Sequence, residues 1–299
     1  MKRILIASSL SLAVGCASAG RQAAWEKEAT SVAAPAGAVA DAASKLASGE
    51  EAWAKRDDKK AVEAAIAAWE EVAKADPANA DVRVKLARAY YYLADAFISL
   101  EEGDDLKERL MPVYEKGADW GEEALIALDP GFAAKMKSGM DFAEAVKDIQ
   151  PGSISAAYWY CTNLGRFAVQ KGLSARLYYK DRVKAAMERI KGLDESFFYA
   201  GADRYFGAFY SALPSIAGKD LDKSKIHFEK AVSLAPSYLP TKVVQADFLA
   251  RELDDRAMYE KILNEVLAAP DGEDANCAPE NRAAKRQAQN RLAKVAEIF

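Results

Sequence analysis

Apolar residues recur at spacings of three and four along almost the whole chain after Asp41. This is the period of an amphipathic helix, and the β-branched residues do not cluster into the alternating runs that form strands. Pro, Gly and paired Asp residues interrupt the period in segments such as ADPANAD, LDPGF, AGKDLD and LAPSY. The breaks predict roughly ten to twelve helices, and therefore an all-α fold.

Two of the predicted helices end with the same pattern of side chains. The matching positions are Ala65, Trp69, Val72 and Pro77 in one, and Ser224, Phe228, Ala231 and Pro236 in the other. A small, an aromatic and a small residue followed by a turn proline are typical of the second helix of a tetratricopeptide repeat. A weaker match ends at Pro130, and the three prolines are not separated by multiples of the repeat length. The pattern predicts a helical-hairpin superhelix of degenerate repeats, with generic helical hairpins as the alternative.

The segment FFYAGADRYFGAFYSALP contains seven aromatic residues among eighteen. As a helix it carries one apolar stripe with Phe206, Tyr210 and Leu213 and a second stripe that contains Tyr205, Phe209 and Ile216. A helix that is apolar nearly all round must be covered on several sides. Since it directly precedes a repeat-like second helix, we expect one stripe to lie in the core and the other to face a groove or a partner.

Candidate binding residues come from this segment and from the similar segment YWYCTNLGRF. Tyr, Trp and Arg are the residue types enriched at binding hot spots, and a guanidinium binds a carboxylate through paired hydrogen bonds. The alternative is core packing, with the arginines paired to internal carboxylates such as Asp203 or Glu195. The candidate groove residues are Tyr158, Trp159, Asn163, Arg166, Tyr199, Arg204, Tyr205 and Phe209.

The first residues have the order of a bacterial leader: Lys2 and Arg3, a short apolar run, and LAVGC ending at Cys16. This order predicts a lipoprotein signal peptide over residues 1–15, a lipidated Cys16 with a tether over 16–40, and a helical domain over 41–299. Ala17 resembles the residue found in lipoproteins sorted to the outer membrane, so we expect the periplasmic face of that membrane. An ordinary secretory leader cut near Ala19 is the alternative.

Several classes of function have little support in the sequence. The chain has one histidine, His227, so an HExxH zinc site, which needs two, cannot form within one chain. We expect His227 on a helix surface, which gives a Ser-His-Asp triad little support. Adjacent carboxylates such as Asp104–Asp105 and Asp254–Asp255 are expected to precede helices. The net charge of -4 and the lack of a basic stripe do not favour nucleic-acid binding. We expect no enzyme activity, cofactor or metal, and pairing of Cys161 with Cys277 is left open.

Four segments together resemble a known family: YWYCTNLGRF, FFYAGADRYFGAFYSALP, GKDLDKSKIHFEKAVSLAPSYL and CAPENRAAKRQAQNRLAKV. They are similar to the TatT family, the T component associated with TRAP-type transporters, and the resemblance runs from about Ala65 to the C-terminus. It implies a lipid-anchored, tetratricopeptide-like periplasmic protein that associates with a periplasmic solute-binding protein.

The function that the resemblance implies is an accessory role in a TRAP-type transport system. The protein would dock a solute-binding protein and relay a small hydrophobic or organic-acid ligand. Self-association is also expected, because a large exposed aromatic stripe favours aggregation unless it is covered. The alternative is an envelope-assembly scaffold of tetratricopeptide type that has no transported ligand.

Overall fold

A computed structural model of the chain describes residues 20–26 and 38–299. These residues form thirteen α-helices joined by short turns and 3-10 segments. The helices are α1 (Ala38–Ala54), α2 (Lys59–Ala75), α3 (Ala80–Ala96), α4 (Leu106–Leu128), α5 (Pro130–Lys137), α6 (Phe142–Ala145), α7 (Ile154–Lys171), α8 (Leu173–Leu193), α9 (Phe197–Ala212), α10 (Leu221–Leu234), α11 (Pro240–Gln245), α12 (Arg256–Ala268) and α13 (Ala278–Ala293).

The all-α prediction is confirmed, since the described ranges contain helices and no strand. The helix count is slightly higher than predicted because α5, α6 and α11 are short helices of eight, four and six residues. Residues Ala246–Ala250 continue α11 as a π-helical turn. Within the described ranges, no helix has both the length and the apolar composition that crossing a bilayer requires.

Aspartates begin several of the helices, as the sequence breaks predict. The side chains of Asp58, Asp129, Asp220 and Asp255 each accept a hydrogen bond from a backbone N–H in the first turn of the helix that follows. Such a cap satisfies one of the backbone donors that have no partner within the helix. Asp105 also precedes a helix, although its side chain makes no such bond.

Helices α3, α4 and α7 pack against one another at the centre of the fold. Helix α2 covers α3 on one side, α8 packs on α7, and α9 pairs with α10. The aromatic positions of the two repeat-like helices, Trp69 in α2 and Phe228 in α10, are fully buried. Their small neighbours Ala65, Ser224 and Ala231 are buried too, so both helices use the predicted faces for packing. The superhelical arrangement of repeats itself stays a prediction.

Glycines set the distance between two of these helix pairs. A Cβ at Gly121 of α4 would lie 2.6 Å from the backbone nitrogen of Tyr160 in α7, and one at Gly207 of α9 would lie 2.7 Å from the ring of Phe228. No side chain fits at either position without a shift. The close approach of α4 to α7 and of α9 to α10 therefore depends on glycine.

Part of the segment predicted as a tether is packed into the fold. Trp25 is buried against Phe132, Phe142 and Tyr160, and Arg21 forms ion pairs with Asp119 and with the fully buried Glu122. Residues 20–26 are therefore attached to α4, α5 and α7 rather than free. Cys16 and the predicted signal peptide lie outside the described residues.

Candidate functional site

Helix α9 begins with a left-handed turn. Phe198, Tyr199 and Ala200 have φ values of 45°, 58° and 55°, a conformation that residues with a Cβ rarely adopt. Regular right-handed helix starts only after this turn. Strain of this kind costs on the order of 1–3 kcal/mol per residue and occurs mostly at binding and catalytic sites.

Arg204 holds the turn in place. Its guanidinium donates hydrogen bonds to the backbone carbonyls of Tyr199 and Phe198 at 2.9 and 3.2 Å, and to the hydroxyls of Tyr158 and Thr241 at 2.8 and 3.3 Å. The residue is only 8% exposed. One side chain of α9 therefore connects the left-handed turn to α7 and to α11.

The turn places two aromatic side chains in a cluster. Phe198 packs on Trp159 with ring centroids 4.6 Å apart, and the ring of Tyr199 stacks on Tyr238 at 4.5 Å. The ring of Tyr238 also lies 4.7 Å from the guanidinium carbon of Arg204, a favourable cation–π contact. These ring contacts stabilise the turn.

A pocket of about 190 Å³ lies between α7, α8 and α9 beside Arg204. Its walls are mainly apolar and include Tyr205 and Phe209 of α9, Leu213 just after that helix, and Val244 and Phe248. Its outer part reaches exposed residues at the start of α8, among them Leu173 and Leu177. An apolar pocket with few polar groups is the usual form of a small-molecule site.

The charged residues that line the pocket all have the same sign: Arg166, Arg176, Lys180 and Arg204. Arg166 is paired with Asp95 at 2.6 Å and Lys180 with Asp181 at 2.6 Å. Neither Arg176 nor Arg204 forms an ion pair within the described residues. A buried charge is normally paired, so the positive charge of Arg204 favours an anion in the pocket.

Acid–base chemistry has little support in this pocket. No Asp, Glu or His is among the described residues that line it. Cys161 does line it, but burial raises the pKa of its thiol well above the ordinary value, so the unreactive protonated form dominates at neutral pH. The described residues also contain no group of three or more His, Cys, Asp or Glu side chains placed to hold a metal ion.

The structure brings five of the eight predicted site residues together in this pocket: Tyr158, Arg166, Arg204, Tyr205 and Phe209. The alternative was that the arginines pair with internal carboxylates such as Asp203 or Glu195. This holds for Arg166, which pairs with Asp95. Asp203 and Glu195 themselves pair with lysines, Asp203 with Lys191 and Glu195 with Lys230.

The other three predicted site residues lie elsewhere. Asn163 is fully buried and donates hydrogen bonds to the carbonyls of Ala87 and Trp159, because its face of α7 packs on α3 and α4. Trp159 occupies the same side of α7, where it contacts Tyr91 and Phe198. Tyr199 lines a separate open cavity of about 350 Å³ beside Trp53 and Arg88.

The two predicted stripes of α9 are partly different in the structure. Tyr205 and Phe209 line the pocket, while Phe206 is buried and packs with Tyr210 against His227 of α10. The last member of each stripe was wrongly assigned, because the helix ends at Ala212 before Pro214. Leu213 lies in the pocket, and Ile216 is completely exposed.

His227 is half-buried rather than on an open helix surface. Its Nδ1 lies 2.6 Å from Oδ1 of Asp203, and its ring stacks on Tyr210.

Cys161 and Cys277 are both free and buried, so the two cysteines do not form a disulfide with each other.

The α8 wall of the pocket was not predicted from the sequence. Leu173, Arg176, Leu177 and Lys180 all line it. Their spacing of three, one and three places them on one face of a helix. That spacing is the only signal in the sequence, and it is also common on helices that bind nothing.

The family of the chain follows from a match to a model described as the TRAP transporter T-component, TAtT, which spans residues 57–299. The chain belongs to the TAtT family. The predicted resemblance to this family is thereby confirmed. No curated protein matches the chain in sequence. The matched range begins just before α2 and contains every helix that lines the pocket, so the pocket lies within the T-component domain. As a T-component, the protein is an accessory part of a TRAP transport system.

Proposed function

We propose that this T-component docks the periplasmic solute-binding protein of its TRAP system and binds the transported ligand in the pocket between α7, α8 and α9. The ligand is a small organic acid with an apolar body. The single observation that carries this proposal is the pocket's combination of apolar walls with a buried arginine that forms no ion pair with a carboxylate of the described residues. The protein binds and passes on its ligand without changing it chemically.

The orientation of the ligand follows from where the two kinds of surface lie. Arg204 and the hydroxyl of Tyr158 are buried at the inner wall, whereas Leu173 and Leu177 are exposed at the outer part. A carboxylate gains most from a guanidinium that is shielded from water. The acid group therefore points inward, and the apolar body lies against Phe209, Leu213 and Leu177.

The location proposed for the protein is the periplasmic face of the outer membrane, held by acyl chains on Cys16. The order of residues around LAVGC supports this anchor.

We also propose that copies of the chain associate. Two exposed apolar side chains of α10, Ile226 and Leu234, support an interface there.

Ligand binding is tested with a matched series of small molecules. Titration calorimetry with octanoate and octanol compares an acid and an alcohol of equal chain length. We expect octanoate to bind about tenfold more tightly, because only the acid carries a negative charge that the buried positive charge of Arg204 attracts. Equal affinity for the two compounds contradicts the carboxylate site.

Two variants locate the binding. Ala208→Phe fills the pocket from α9 without removing a charge and is expected to abolish octanoate binding. Leu253→Phe adds a similar ring at an exposed position outside the pocket and is expected to bind as the wild type does. Docking is tested separately by co-purification with the TRAP solute-binding proteins of the same genome. Failure of the chain to associate with any of them contradicts the docking proposal alone.

A further inference from the structure

Exposed apolar side chains are concentrated at the corner between α7 and α8. Nine large apolar side chains are exposed in the described residues, and four of them lie within ten positions: Val169, Leu173, Leu177 and Tyr178. We refer to these four residues as the corner patch. An exposed apolar patch of this kind marks a surface that is covered in the working protein.

Positive charges predominate around the corner patch. From Phe167 to Lys180 the chain has no Asp or Glu and carries Lys171, Arg176 and Lys180, and the exposed Asp181 that follows pairs with Lys180. Arg176 forms no ion pair within the described residues. Leucine and tyrosine beside lysine and arginine are the composition of surfaces that lie in the interface of an anionic bilayer.

The N-terminal segment reaches the fold at this same corner. Gly20 lies against the ring of Tyr178, where an added Cβ would be 3.1 Å from Cε1. The next residue, Arg21, donates its backbone N–H to the hydroxyl of Tyr179 at 2.6 Å. Cys16 precedes Gly20 by four residues, so even a fully extended chain keeps it within about 14 Å of Gly20.

We propose that the corner patch lies on the outer-membrane surface, so that the pocket opens toward the lipid. The inference rests on the lipid anchor proposed for Cys16. Acyl chains on that residue enter the bilayer close to Tyr178 and bring Leu173 and Leu177 to its surface. Because both leucines also line the outer part of the pocket, an amphiphilic acid enters or leaves the pocket at the membrane rather than from open solvent.

The orientation is tested with spin labels on the full lipoprotein in vesicles of phosphatidylethanolamine and phosphatidylglycerol. One variant is Leu177→Cys and the control is Leu253→Cys, at an exposed position with similar accessibility. The native Cys161 and Cys277 are buried and do not compete for the label. The measured quantity is the collision rate of each label with oxygen, which concentrates in lipid, and with a water-soluble nickel chelate.

The label at position 177 is expected to collide severalfold less often with the nickel chelate, and more often with oxygen, than the label at 253. Equal collision rates at the two positions overturn the proposed orientation. A different result would be that the label at 177 stays protected from the nickel chelate in detergent and shows dipolar broadening between labels. That result assigns the corner patch to a contact between copies of the chain and also overturns the proposed orientation. If a mass spectrum of the same protein shows no acyl chains on Cys16, the anchor itself is contradicted. This measurement separates a failure of the anchor from a wrong orientation.

Discussion

The guanidinium of Arg204 donates a hydrogen bond of 2.8 Å to the hydroxyl of Tyr158 and joins α9 to α7 at the wall of the pocket. The same guanidinium also binds the carbonyls of the left-handed turn at Phe198 and Tyr199. Arg204 therefore has two roles, since it shapes the backbone beside the pocket and supplies the positive charge within it.

Replacing Arg204 with Met is expected to destabilise the protein by about 2–4 kcal/mol, because two buried carbonyls and two hydroxyls lose their donor. Urea denaturation followed by circular dichroism measures the loss. Arg204→Lys keeps the charge but not the planar set of donors, so it should retain part of the octanoate affinity while still losing stability. A stability equal to that of the wild type in Arg204→Met contradicts the structural role.

Gly121 provides a test of the contact between α4 and α7. Gly121→Ala is expected to destabilise the protein by about 1–3 kcal/mol, because the new methyl group meets backbone atoms of Tyr160 that cannot rotate away. The control is Gly165→Ala in the interior of α7, where an added Cβ has no neighbour within 4 Å. That variant should gain about 0.5–1 kcal/mol of stability from the higher helix propensity of Ala. Thermal denaturation should therefore show a loss of stability for Gly121→Ala and a gain for Gly165→Ala.

The parts of the fold that could be predicted from the sequence are those fixed by residues close together in the chain. Trp69 and Phe228 lie in the core because the spacing of small and aromatic residues fixes one face of a helix. The left-handed turn at Phe198 has no local signal, since its residues carry Cβ atoms and are held by contacts with Tyr158 and Tyr238. The predicted site residues of α7 could not be assigned to core or pocket from the sequence either. Their positions depend on which neighbouring helix packs against each face of α7.

Asp203 is expected to make the stability of the protein depend on pH. Burial raises the pKa of its carboxyl group, but hydrogen bonds from His227 and Lys191 outweigh burial and bring that pKa below the ordinary value. A carboxyl group with a depressed folded-state pKa stabilises the fold above its unfolded pKa of about 4, and the contribution is lost as the pH falls through the folded-state value.

The test compares Asp203→Asn with the wild type by urea denaturation at neutral pH and near pH 3. The variant should be clearly less stable at neutral pH, and the difference should shrink in acid as the wild-type carboxylate becomes protonated. Asp222→Asn, at an exposed position of α10, is the control for which only a small difference is expected at either pH. A difference for Asp203→Asn that is the same at both pH values contradicts this role.

The ion pair between Arg21 and Glu122 is expected to hold the N-terminal segment on the fold. The two side chains are 3% and 0% exposed and their charged atoms lie 2.9 Å apart. Arg21→Met leaves Glu122 buried without its cation and should cost about 3–5 kcal/mol. Lys55→Met, which breaks an exposed ion pair with Glu51, should cost less than about 1 kcal/mol.

The pH dependence of Arg21→Met distinguishes a buried charge from lost packing. Burial already raises the pKa of Glu122, with Arg21 opposing the shift, so removal of Arg21 raises it further. A carboxyl group whose folded-state pKa is raised destabilises the fold where it is ionised and not where it is protonated. The deficit of Arg21→Met should therefore be larger at pH 8 than at pH 5. The double variant with Glu122→Gln should also be more stable at pH 8 than Arg21→Met alone. An equal deficit at both pH values would show that Arg21 acts through packing alone.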